Sequence, residues 1–397
     1  MKNTIPISAV SHAVPPRAVV LETRVVTGTG GGPEKTIFNT PRFMDPYGYK
    51  TLCAYMHPPN DPGFEILCRR ASGLGCELIS VPDCGVFDRS VERRLLEICR
   101  ENKVTIWHGH DYKSNLFGLL VHRHHPMKLV TTVHGWVHRT WKTPLYYYLD
   151  RWCLRHYDHV ICVSPDLYDE SRRCGVREER CALVENGIDT KQFSRTMSTD
   201  SAKNAVQFPT ERIVIGAVGR LSTEKNFAGL IRITDALLEK GLPLELYIIG
   251  EGPQQGHLEE LLQMSRHAEH IHLAGFRSDL HELYQAMDIF VLSSSREGLP
   301  NVVLEAMAYE LPVLSTRVAG VPRLITDGVN GVLVNISDNE ELKRMLEMLV
   351  NDVDLRRRIG ENGRVTIVRS YTLDKRMQKV RNVYQKLLGD EGCEDSE

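Results

Sequence analysis

Two glutamates with seven residues between them, Glu297 and Glu305, stand in the segment SSSREGLPNVVLEAMAYELPVL. The first follows the apolar run IFVLSS. The second sits inside a helical pattern made mostly apolar by Val302, Val303, Ala306 and Met307. A favourable helix dipole would explain a pair of exposed glutamates near a helix start, but it explains Glu305 poorly. A carboxylate about one turn inside that helix can accept from both hydroxyls of a ribose diol. Glu297, with backbone N–H groups of the turn Gly298-Leu299-Pro300-Asn301, can reach the hydroxyls of a second sugar. One glutamate for each end of a nucleotide-sugar accounts for the spacing.

A second constellation is IGAVGRLSTEKNFAGLI. Gly219 ends a strand pattern, Arg220 stands at its carboxyl edge, and Lys225 lies where the following helix begins. Two cations and a helix N-terminus converging on one spot suit a diphosphate, whose charge must be held and then stabilised as it leaves. The blander reading pairs both cations with Glu224 at the surface, where such bridges are worth little. A third stretch, VVTGTGGGPEKTI, places Gly28, Gly30, Gly31 and Gly32 after a strand, with Pro33 positioned to start a helix. Glycines let the backbone approach a phosphate or sugar closely, and a helix start offers N–H groups to an anion. The stretch is neither GxGxxG nor a P-loop, and a flexible glycine turn is the alternative.

These residues need strands and helices to aim them. Candidate strands in the front half are RAVVLETRVV, KTLCAYM, CELISV, KVTIWH, KLVTTVH, HVICVS and CALVEN. In the back half they are RIVIGAV, LELYIIG, HIHLAG, DIFVLSS, PVLST and GVLVN. Helical patterns such as SVERRLLEICREN and NFAGLIRITDALLEK lie between most of them. Continuous apolar strands alternating with helices specify an α/β protein with parallel sheets covered on both faces. The chain of 397 residues allows about two domains. The expected division is a first unit over 1–195 and a second over 205–371, with the polar stretch 194–210 read as a linker. The last apolar helix, over 372–388, comes after the second sheet is complete and is expected to cross back onto the first unit. Residues 389–397 read as a disordered tail. Two doubly wound domains place the carboxyl ends of both sheets along one cleft, where ligands of such sheets bind.

Apolar content of 42% and charged content of 25% are those of an ordinary soluble globular chain. The net charge of -2 gives no reason to expect a nucleic-acid partner. The half ending at Arg195 has a mild cationic excess and the remainder an anionic one, which suits an anionic substrate or membrane surface in the first half. Cys53, Cys68, Cys76, Cys84, Cys99, Cys153, Cys162, Cys174 and Cys181 form no CxxC pair and mostly adjoin apolar residues. Free thiols in a reducing compartment are expected. The first thirty residues lack the pattern of a signal peptide, and no apolar run approaches the ~18 residues of a membrane helix. A cytoplasmic location is expected, with peripheral contact at the inner face of an anionic membrane left open.

In chain order, the Gly-rich loop is followed by GRLSTEKN, IIGEGP, HLAGF, the Glu-x7-Glu segment and VPRLITDGVNGVLV. His134-Gly135 and VENGID at 184–189 fall in sequence with them. Together they resemble the retaining GT-B glycosyltransferases of family-four type (glycosyl transferases group 1), from Gly28 to about Tyr371. The resemblance implies two Rossmann-like domains facing a cleft, a nucleotide-sugar held mainly by the second, and an acceptor held mainly by the first. It also implies no catalytic metal and no cofactor beyond the donor. By the same resemblance Arg220 and Lys225 bind the diphosphate and Glu305 the ribose. Glu297 touches the transferred sugar with the backbone of Gly298, Leu299, Pro300 and Asn301, and the backbone at Phe276 and Arg277 meets the base. His134 approaches the sugar from the opposite domain, and Gly31, Gly32 and Gly219 complete the donor-binding set. Two departures stand out: family members usually carry Gly where this chain has Glu310, and GLPN replaces the more usual residues after Glu297.

The expected activity is transfer of a sugar, with retention of configuration, from a UDP-sugar to a glycan or lipid-linked acceptor in surface polysaccharide synthesis. Nucleotide-sugar epimerisation or hydrolysis on the same fold is a rival, as is a catalytically silent nucleotide-sugar-binding subunit. Retention of all four of Arg220, Lys225, Glu297 and Glu305 weighs against the silent subunit. Two further stretches carry possible chemistry. WHGHDYKSNLFG holds His108, His110 and Asp111, and His122, His124 and His125 follow. No spacing among them gives a firm tetrahedral metal set, so acceptor contact or helix capping by Asp111 is the expectation. HGWVHRTWKTPLYYYLDRWCLRHYD gathers Trp136, Trp141 and Trp152 with Arg139, Lys142, Arg151 and Arg155. It suits either a membrane interface or an amphipathic helix packed on the first domain.

Overall fold

The computed structural model describes residues 16–85, 88–135 and 143–389, without the side chains of residues 143–146. The chain forms two parallel sheets. The first has β1 (Ala18–Val25), β2 (Tyr49–His57), β3 (Leu78–Pro82), β4 (Ile106–Gly109), β5 (Lys128–Val133), β6 (His159–Cys162) and β7 (Cys181–Leu183). The second has β8 (Ile213–Val218), β9 (Leu244–Ile249), β10 (Ile271–Gly275), β11 (Ile289–Leu292), β12 (Val313–Thr316) and β13 (Val332–Val334). Their spatial orders are β3-β2-β1-β4-β5-β6-β7 and β10-β9-β8-β11-β12-β13, and all the pairings are parallel.

The alternation of side chains along β1 feeds both faces of the first sheet. Val19 and Leu21 join one apolar cluster with Trp107 and Tyr157, whereas Ala18 and Val20 join another with Tyr49 and Ile161. Burial on both sides is what makes the strands read as unbroken apolar runs.

In each sheet the chain winds outward in one direction from its first strand, then reverses. β1 lies between β2 and β4, and β8 between β9 and β11. The crevice of a doubly wound sheet opens at that reversal. The loops leaving β1 and β8 are the Gly-rich loop and the Gly219–Lys225 segment, so topology alone brings these two motifs to the mouth of the cleft.

The helix Leu373–Leu388 packs in the first domain. Leu373, Met377, Val380, Val383 and Tyr384 share one cluster with Val20, Ile106, Val130 and Ile161. The chain returns through a short bridge, Ile188 N to Tyr371 O at 2.9 Å and Leu373 N to Ile188 O at 2.9 Å. A Cβ on Gly187 would lie 2.5 Å from Thr372 O, so this approach requires glycine.

The stretch 194–210 differs from the linker its polar composition suggests. It contains the helix Thr199–Val206, with Ser198 Oγ accepting from Ser201 N. Gln285 Oε1 accepts from Thr196 N at 2.7 Å, and Lys203 pairs with Asp288 at 2.7 Å. The stretch is docked on the second domain by polar contacts that hydrophobic patterning does not register. Among the described residues, no helix is long and apolar enough to cross a membrane.

Candidate active site

At the carboxyl end of β8, Lys225 Nζ lies 2.5 Å from Glu297 Oε1, and Ser294 Oγ donates to the same oxygen at 2.7 Å. Lys225 is held in place by its own backbone, whose carbonyl accepts from Ser293 Oγ at 2.7 Å. The alkyl end of Lys225 lies against Gly219, where a Cβ would come within 3.1 Å of Cε. A side chain at 219 would therefore crowd the lysine. Arg220 is exposed, and among the described residues its guanidinium has no hydrogen-bond or ion-pair partner. The surface pairing with Glu224 does not form: Lys225 chooses Glu297. An unengaged guanidinium on the same strand-exit loop as a lysine is suited to an anion.

Glu305 lies in the helix Asn301–Ala308 and is 1% exposed. Its Oε2 accepts from the Tyr284 hydroxyl at 2.9 Å. Its Oε1 is ion-paired with Lys35, from the helix Gly32–Ile37 of the first domain. The environment that makes Glu305 look misplaced in an apolar helix thus supplies one buried hydroxyl and one cation. Tyr284 answers with a hydroxyl pushed well above its usual pKa, by burial first and by the Glu305 charge second.

The first domain meets this wall closely. Asn301 Nδ2 donates to Gly32 O at 2.9 Å, and Asn186 Nδ2 donates to Leu299 O at 3.0 Å. A Cβ on Gly298 would lie 3.3 Å from His134 O. The turn Gly298-Leu299-Pro300-Asn301 is therefore the place where the second domain touches the loop after β5. Gly28 and Gly30 adopt left-handed φ of 64° and 75°, which explains two of the glycines. The Gly31 N–H is already engaged, donating to Glu34 Oε2 at 2.5 Å. Glu34 is buried and pairs with Arg24 Nε at 2.5 Å. The loop thus spends a backbone donor on its own helix instead of offering it outward.

His134 is half-buried at the end of β5, and its Nε2 lies 3.0 Å from His110 Nδ1. His110 Nε2 in turn lies 2.5 Å from Glu22 Oε2. Burial lowers the pKa of His134 well below its ordinary value and takes His110 to about 4. Both imidazoles are neutral at physiological pH. Asp111 caps the helix Tyr112–His122, accepting from Lys113 N at 3.0 Å and Ser114 N at 2.9 Å. It also accepts from Val25 N at 2.7 Å, tying the end of β1 to that helix.

Phe276 and Arg277 follow β10, the edge strand two places from β8. Phe276 is 52% exposed, and Arg277 is paired with Asp279, Nε to Oδ1 at 2.7 Å. They stand apart from the Lys225–Glu297 pair, at the far side of the same row of strand ends. Within the aromatic and basic segment, residues 136–142 lie outside the described residues. In the helix Thr143–Leu154 that follows, Tyr148 is 72% and Trp152 41% exposed.

Among the described residues, Glu22, His108 and His110 are the group near enough together to hold a metal. Their donor atoms are otherwise engaged. His108 places Nδ1 2.6 Å from the Tyr384 hydroxyl and Nε2 2.7 Å from Thr132 Oγ1, and His110 is held between Glu22 and His134. The cluster is a satisfied hydrogen-bond network.

Sequence reasoning missed four participants. Lys35 lies inside GGPEKTI, three residues beyond Gly32, and its position one helical turn into a loop-facing helix was a usable signal. Glu22 is a carboxylate within an apolar strand, which was also legible. Asn186 lies inside VENGID at 184–189, a motif already singled out though without a role, whereas Tyr284 carries no local mark.

Residues 198–366 match the glycosyl transferases group 1 family, and residues 30–192 match Glycosyltransferase Family 4. The chain belongs to the glycosyltransferases of the family-four type, on a GT-B fold. The lipopolysaccharide core biosynthesis glycosyltransferase LpsE of Rhizobium meliloti is 30% identical over 234 residues, 59% of this chain and 65% of that one. The Escherichia coli enzyme named UDP-Gal:alpha-D-GlcNAc-diphosphoundecaprenol alpha-1,3-galactosyltransferase is 25% identical, over 73% of this chain and 77% of that one. Among solved structures, Anabaena HepE in complex with UDP and glucose superposes with a TM-score of 0.80 at 19% identity, covering 93% of this chain and 100% of that one.

Proposed function

We propose that the protein transfers a sugar from a UDP-sugar to a glycan or lipid-linked acceptor in the synthesis of a surface polysaccharide. The observation that carries this reading is the row at the cleft: unengaged Arg220, Lys225 bound to Glu297, and buried Glu305 on the next helix. Two cations suited to a diphosphate and two carboxylates suited to hydroxyls thus follow neighbouring strands, β8 and β11, of one sheet. The UDP donor and diphosphoundecaprenol acceptor in the name of the Escherichia coli relative, and the UDP bound by HepE, support the donor and acceptor classes.

Breaking the anomeric bond leaves an oxocarbenium-like sugar and a more negative diphosphate. Arg220 and Lys225 would stabilise that leaving group without a metal, Lys225 from a position already held by Glu297, so that it needs little reorganisation as charge develops. Glu297 is already an acceptor for two donors, and Glu305 for a hydroxyl and an ammonium. Both are placed as acceptors for hydroxyls, and neither is assigned as a nucleophile. Retention of configuration then follows from attack on the face the diphosphate leaves, with the departing phosphate oxygen taking the acceptor's proton.

The test is thermal unfolding with a panel of nucleotide-sugars, followed by nucleotide release with and without acceptor. A donor at ~100 times its dissociation constant adds ~2.7 kcal/mol. The reading expects a UDP-sugar to raise the melting temperature and UDP release to require an acceptor. Release at equal rate without acceptor would favour hydrolysis, and no shift with any nucleotide-sugar would end the proposal.

A further inference from the structure

Behind His134 runs a line of buried polar groups that the proposed transfer does not use. His134 Nε2 faces His110 Nδ1 at 3.0 Å, and His110 Nε2 faces Glu22 Oε2 at 2.5 Å. Glu22 Oε2 also lies 3.4 Å from His108 Nδ1, which is 2.6 Å from the Tyr384 hydroxyl on the helix Leu373–Leu388. Glu22 is 2%, His108 3% and His110 6% exposed. The rings are also stacked, His108 on His110 with centroids 4.6 Å apart and His110 on His134 at 5.3 Å.

The order of donors in this line is set by chemistry. An ionised carboxylate only accepts, so the atom of His110 that faces it must carry the proton. In the neutral ring the other nitrogen, Nδ1, is then a lone pair. That lone pair requires a proton on the facing Nε2 of His134. In neutral His134 the remaining nitrogen, Nδ1, is left as an acceptor, and among the described residues it has no protein partner.

We infer that Glu22 and His110 are positioning residues that fix His134 in its Nε2–H tautomer and hold its ring plane, so that Nδ1 is presented as a hydrogen-bond acceptor. The ligand class is a hydroxyl donor, and a sugar hydroxyl brought beside the loop after β5 fits it. Glu22 and His110 touch no substrate; they act through His134. This rests on the glycosyl-transfer reading for its consequence, although the tautomer itself does not. The arrangement follows the general logic of an acid that orients an imidazole through its far nitrogen.

The experiment is long-range 1H–15N correlation on protein labelled at histidine, ligand-free at pH 7.5, for the wild type and Glu22→Gln. Turnover with the UDP-sugar and acceptor is measured alongside. In the wild type both His110 and His134 should show a protonated Nε2 and an unprotonated Nδ1. Glu22→Gln removes the charge and lets an amide N–H face His110, so His134 should become a tautomer mixture and turnover should fall at least tenfold. A wild-type His134 protonated at Nδ1 overturns the inference without any variant, even if Glu22→Gln does not fold. A folded Glu22→Gln with unchanged His134 resonances overturns it as well, whatever its turnover. So does a shifted tautomer with undiminished turnover. Absence of transfer by the wild type, with the expected tautomers present, would count against the proposed function and the consequence for catalysis, but not the tautomer chain.

Discussion

Lys35 and Glu305, 270 residues apart in the chain, form an ion pair across the cleft between the two domains. The carboxylate is buried and the ammonium a third exposed. The position proposed for the ribose is therefore taken by a side chain of the opposite wall. A nucleotide that engages Glu305 would have to displace Lys35.

Replacing Lys35 by Met should lower the ligand-free melting temperature, since Glu305 is left with Tyr284 alone. The loss should be about 1 kcal/mol, at the low end for a buried pair because solvent screens the lysine. UDP should raise the melting temperature of K35M by more than it raises that of the wild type. An equal or smaller UDP shift would show that Lys35 does not compete for the carboxylate.

Arg220→Ala should leave the fold untouched, because the side chain is exposed and engages no described residue. Turnover should fall by roughly 10²–10³, as for loss of other groups that stabilise developing charge. Steady-state kinetics on a variant with wild-type melting behaviour decides the matter, and undiminished kcat removes Arg220 from the site.

Acid should destabilise the protein well before ordinary carboxylates titrate. Burial holds His110 and His159 at about 4, against ~6.5 in an unfolded chain. Between those values the unfolded state binds the protons, so stability rises with pH and is lost as pH falls from ~6.5 toward ~4. Two such groups cost about 2–3 kcal/mol between pH 7.5 and 5.5. Glu22 is held far below the usual carboxylate range because His108 and His110 outweigh its burial, and it adds a loss of the same sign below ~4.5. Urea unfolding at the two pH values measures the first part. An equal free energy at both would contradict the neutral buried imidazoles.

Glu310→Gly should stabilise the protein. Glu310 has a φ of 61°, in the left-handed region, where a Cβ costs about 1–2 kcal/mol and glycine's extra freedom when unfolded takes back about 0.5–1. A net gain of up to about 1.5 kcal/mol is expected in urea unfolding. A loss would mean that the Glu310 side chain holds something its backbone cost conceals.

The layout was legible because it rests on local signals. The strands of both sheets fall where β-branched and apolar runs end in turns, and the carboxyl-edge motifs follow from the winding order. The departure at Glu310 was also legible, and its left-handed φ is a physical reason for the glycine that the resemblance implies there. What stayed hidden were contacts between distant stretches. Nothing near Tyr284 marks it as the partner of Glu305, and nothing in a polar run such as 194–210 announces that Gln285 and Asp288 will dock it. The Lys225–Glu297 pair lay within reach, since each residue stands at a strand exit, yet only the strand order β8-β11 places them side by side.

The return of the helix Leu373–Leu388 has a consequence for how the protein is made. Met377, Val380 and Tyr384 complete the apolar layer under β1 and β4, so a ribosome that has finished the first sheet has not yet supplied its last wall. That sheet must wait, one face uncovered, while the whole second domain emerges. The first half to be synthesised is thus among the last to close, and a chaperone that shields bare strands would be needed most during that interval.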